Sequence, residues 1–214
     1  MTPGLEIAIA VMYEAFSCEP KPSAIPWCTC PSCAHGQNAS TLLTKPLHLL
    51  SPDELSHYAE SVFLTAGSAA DFRYFLPRIL EILITQAGWW PSPEVVGRTI
   101  YNGWETFSER QQKTVLSFFT EAMTTLVASS DGHALDEWIC GIARANANLK
   151  TYLELIEKNT SALVALYEQN SESLNKGKLT NSFWDGKSPN EKIVMDWFQS
   201  QQIQDLINAA YGLK

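Results

Sequence analysis

ADFRYFLPRILEILITQ, running from Ala70 to Gln86, decides the fold. At about 3.6 residues per turn, Phe72, Phe75, Leu76, Ile79, Leu80, Ile82, Leu83 and Ile84 fill more than half the circumference of a helix. Arg73, Tyr74, Arg78 and Glu81 share the remaining arc. A helix that apolar packs on several sides, so this stretch is expected to be the most buried element of an all-helical domain. Pro77 sits mid-pattern, where it removes one backbone donor and crowds the Arg73 carbonyl, so a kink is expected there.

Outward from this helix, the flanking segments repeat one grammar. Ser51-Pro52-Asp53-Glu54 is a helix start with a capping box, followed by Leu55, Tyr58, Ala59, Val62, Phe63 and Ala66 at i, i+3, i+4 spacing, and Gly67 is the expected stop. Ser68 or Asp71 caps the central helix, and Gly88-Trp89-Trp90-Pro91 ends it. Ser92-Pro93-Glu94, Ser108 with Gln111, and Asp131 open three further helices. The last of these turns Leu135, Trp138, Ile139, Ile142 and Ala143 inward. From Asn148 to Leu174 the apolar phase is interrupted at Asn159-Thr160, which reads as one bent helix or two. Residues 175–188 break the pattern, with Phe183-Trp184 expected in the core. Ser188-Pro189-Asn190-Glu191 is a further expected capping box, which starts the closing helices. At the other end, Leu5, Ala8, Ile9, Met12, Tyr13 and Phe16 predict a docked first helix. The expectation is a single all-α domain over residues 1–214, a stack of antiparallel helical hairpins of HEAT-like or irregular superhelical form.

Composition bounds the function. With 45% hydrophobic residues and seven Trp in 214 residues, the chain can build a real core. A net charge of −8, from 23 acidic against 15 basic residues, repels phosphate backbones and anionic lipid, which argues against nucleic acid as a partner. No stretch reaches the roughly 18 apolar residues of a membrane helix. The N-terminal stretch lacks the basic and small-residue features of a secretion signal, so a cytoplasmic location is expected.

One segment does not fit a helical stack. Residues 18–50 hold four of the five cysteines and five prolines, and a loop that long is usually functional or flexible. Within it, Trp27-Cys28-Thr29-Cys30-Pro31-Ser32-Cys33-Ala34-His35 has the form of a metal knuckle, whose turn aims two thiolates at one ion. Tetrahedral zinc needs four ligands. Cys30 and Cys33 supply two, and Cys28, Cys18 or His35 the others. The alternatives are a thiol redox Cys-x-x-Cys, which wants a strand before it and a helix after, and packed structural thiols.

These motifs also carry a likeness. Cys30-Pro31 with Cys33, then Ser51, Glu54, Leu55 and Tyr58, then Asp71 to Arg78 together resemble an uncharacterised family of bacterial all-helical proteins. The resemblance covers about residues 28 to 85 and implies no activity. Other groups are weaker candidates. Asp71, Arg73 and Arg78 could line a polar groove, or serve as a cap and ion pairs. His133, Asp136 and Glu137 lie one turn apart, as acids near a helix start commonly do. Cys140 reads as a small buried thiol. The chain carries no phosphate-binding glycine loop, nucleophile elbow or His-Glu-x-x-His. The leading expectation is therefore a non-catalytic helical interaction protein with an unidentified protein partner, and the alternative is a metal-dependent or redox enzyme working at the Cys28 to Cys33 loop.

Overall fold

The computed structural model describes residues 1–30, 39–184, 186 and 188–213. Among them the chain is all-helical, with two isolated β-bridges and no strand. The helices are α1 (Pro3–Ala15), α2 (Ala39–Thr44), α3 (Pro52–Ser61), α4 (Ala69–Thr85), α5 (Pro93–Gly103), α6 (Glu109–Ser129), α7 (Gly132–Arg144), α8 (Lys150–Glu157), α9 (Thr160–Leu174), α10 (Pro189–Gln199) and α11 (Gln201–Ala210). Two short 3₁₀ turns, Leu47–Leu49 and Trp104–Thr106, join them. The chain gathers into two compact units, Met1–Phe118 and Phe119–Lys214.

In the first unit α4 is the hub, packing against α1, α3, α5 and the Leu47–Leu49 turn. Phe72, Phe75, Leu76, Ile79, Leu80, Ile82 and Leu83 are buried, as the apolar arc requires, while Ile84 at the last turn is half-buried. The helix runs through Pro77 without a break. Its start is a capping box in which the Ser68 hydroxyl accepts from the Asp71 amide and Asp71 Oδ2 accepts from the Ser68 amide at 2.8 Å. The same reciprocal device opens α3 at Ser51 and Glu54 and α6 at Ser108 and Gln111. Each satisfies two backbone donors that a helix start leaves orphaned. Aromatic rings fill the space between helices: Phe72 meets Phe63 and Phe107, and Phe107 meets Phe16 edge-on with centroids 5.7 Å apart. Gly103 lets that cluster close, since a Cβ there would lie 3.1 Å from the Phe72 ring.

α3 ends at Ser61, six residues before the expected stop at Gly67. The chain turns instead: Leu64, Thr65 and Ala66 all donate to the Ser61 carbonyl, and Phe63 takes a positive φ of 62°. Such a conformation is strained for a bulky residue. It persists here because residues 65–67 are claimed by another segment, described below. Val62 and Ala66 stay buried, so the apolar spacing was read correctly while its secondary structure was not.

In the second unit α9 is central, packing on α7, α8 and α11. Asn159-Thr160 splits the 148–174 stretch into α8 and α9, with Asn159 as the cap. Helices α7 and α9 approach so closely that a Cβ at Gly132 would stand 2.2 Å from the Ala165 carbonyl oxygen. Fully buried Asn170 donates to Asp136 Oδ1 at 2.9 Å and accepts from the Thr180 amide at 2.9 Å, pinning the irregular connection to the helices. Phe183 and Trp184 are half-buried rather than in the core. Phe183 lies under the Arg144 guanidinium, which stacks on its ring and donates to its carbonyl. At the start of α10 the Ser188 hydroxyl accepts from the Asn190 amide, and Glu191, expected to complete a capping box, accepts the Gly186 amide at 2.6 Å.

Candidate functional site

The cysteine loop leaves α1 through a polar clamp. Glu19 Oε2 accepts from Arg73 Nε at 2.8 Å and Oε1 from Gln111 Nε2 at 2.7 Å, so one carboxylate ties the turn after α1 to both α4 and α6. The side chains of Glu19 and Arg73 are 11% and 21% exposed, shielded enough for the pair to outweigh a surface ion pair. Nearby Cys18 is exposed.

Farther along, the loop is stitched to the turn after α3. The Cys28 amide donates to the Thr65 carbonyl and the Gly67 amide to the Pro26 carbonyl, both at 2.7 Å, around an antiparallel bridge between Trp27 and Ala66. The Trp27 ring stacks on His57 and meets Tyr58 edge-on. Burial, reinforced by the Asp71 charge, pushes the Tyr58 phenol well above its ordinary range. His57 Nδ1 lies 3.0 Å from Glu60 Oε1, and the other Glu60 oxygen accepts the Trp90 indole N–H. Cys28 is therefore half-buried and held by its backbone, and Cys30 two residues on is exposed. Cys33 and His35 lie outside the described residues. Among the described residues no group of three or more His, Cys, Asp and Glu is placed to hold a metal.

The remaining candidates divide. Asp71 is buried in its capping box, and Arg73 is engaged by Glu19. Arg78 donates through Nε to the Leu50 carbonyl and through Nη1 to Glu81 Oε2, at 2.8 and 2.7 Å. Glu81 Oε2 also accepts the Tyr13 hydroxyl at 2.5 Å. Burial, then this carboxylate, raises the Tyr13 phenol far above its ordinary value. In the second unit Asp136 turns inward to Asn170, while His133 and Glu137 pair along the surface at 3.4 Å. Cys140 is buried.

Sequence reasoning did not single out the outer face of α1. Besides the buried Leu5, Ala8, Ile9 and Met12, the helix carries Ile7 and Val11 one turn apart, 64% and 41% exposed. Val11 forms one wall of an open groove of about 500 Å³, and Glu109, Arg110, Lys113, Thr114 and Ser117 of α6 form the other. The signal was present as a second i, i+4 apolar pair. It was masked because α1 looked fully accounted for by its inward stripe. No family model, curated protein or solved structure matches the chain.

Proposed function

We propose that the protein is a non-catalytic helical interaction protein acting in the cytoplasm through a protein partner, without nucleic acid or membrane as ligand. The observation that carries this reading is a contrast between polar and apolar groups. The candidate site residues on α4 are taken up by internal bonds: Asp71 by Ser68, Arg73 by Glu19, Arg78 by Leu50 and Glu81. The apolar face of α1 is left open beside a groove, and contiguous exposed apolar surface is where proteins meet. Two features support the exclusions. The acidic balance disfavours phosphate ligands, and among the described residues no helix is long and apolar enough to cross a membrane.

A structural zinc at the cysteine loop belongs to the same reading, with Cys28, Cys30 and Cys33 and either Cys18 or His35 as ligands. Its support is the fixing of Cys28 by the bridge to Thr65, which pre-positions one thiol at low entropic cost.

The interaction reading is tested by placing a photo-crosslinking residue at position 7 and, as a control, at exposed Lys150. A discrete protein adduct at position 7 alone is expected; equal or absent crosslinking at both positions would remove the basis for the reading.

A further inference from the structure

We draw no further inference here: the strongest candidate, the outward apolar face of α1 at Ile7 and Val11 beside the groove against α6, carries none, because nothing in the structure shows what covers it.

Discussion

The indole of Trp27 lies flat on the imidazole of His57, with ring centroids 5.4 Å apart and planes 3° from parallel. Together with the two backbone bonds that join 26–28 to 65–67, this stack anchors the base of the cysteine loop to α3.

Trp27→Ala should therefore loosen the loop before it unfolds the domain. Limited proteolysis is expected to cut between residues 18 and 30 several times faster, with helicity nearly unchanged. Uniform acceleration of cleavage over the first unit would show that the indole is a core residue rather than an anchor.

If the loop holds zinc, Cys30→Ser should lower metal stoichiometry in protein purified without chelator, measured by elemental analysis, and chelator should mimic the variant. The helices should survive, because α3 to α5 have a core of their own. Wild-type protein with no metal above background would leave the thiols as packing residues.

Alkaline pH should weaken the first unit through Tyr13. Its ordinary value is 10.0 and burial beside Glu81 raises it in the folded state. The neutral phenol is thus favoured by folding: the contribution is complete below about pH 10 and is lost as pH rises above that. Tyr58 and Tyr74 shift the same way, so the useful quantity is a difference. Urea midpoints of Tyr13→Phe should fall less than those of wild type between about pH 9 and 11. Parallel slopes would refute the assignment.

Gly132→Ala runs against helix propensity. Alanine inside a helix is ordinarily better by about 0.5–1 kcal/mol, an advantage that shrinks at Gly132, the first residue of α7. Here the new methyl would meet backbone atoms of Ala165, which cannot move aside as a flexible side chain could. A net loss of about 1–3 kcal/mol is expected from such overpacking, read from urea unfolding. Equal or greater stability would mean that α7 and α9 can separate without cost.

How much of this was legible in sequence depended on the distance between partners. The capping box at Ser51 and Glu54 needs only three residues of context and forms as expected; Ser68 caps α4, and at Ser68 with Asp71 and at Ser108 with Gln111 the helix starts expected from sequence prove to be reciprocal boxes as well. The buried arc of α4 followed from period alone. The clamp at Glu19 joins residues 54 and 92 positions away, and nothing local marks such a pair. The early end of α3 was hidden for a related reason. Val62 and Ala66 keep the helical spacing, but the Leu64, Thr65 and Ala66 amides all turn back on the Ser61 carbonyl, and the Thr65 carbonyl and Gly67 amide are taken by Cys28 and Pro26. On α1 the inward stripe was read and the outward one passed over, although both are written in the same thirteen residues.

Those long separations also carry a consequence for the order in which the protein can be made. Helix α1 is synthesised well before the helix that receives it, α4, on which it packs and whose Glu81 accepts the Tyr13 hydroxyl. At roughly 5–20 residues per second, a nascent chain carries this apolar helix without its dock for about 4–14 s. Through that interval its inner stripe is as bare as its outer one. The inner stripe of α1 is thus covered only once α4 has been made, so α1 cannot find its buried place until about 70 further residues have followed it.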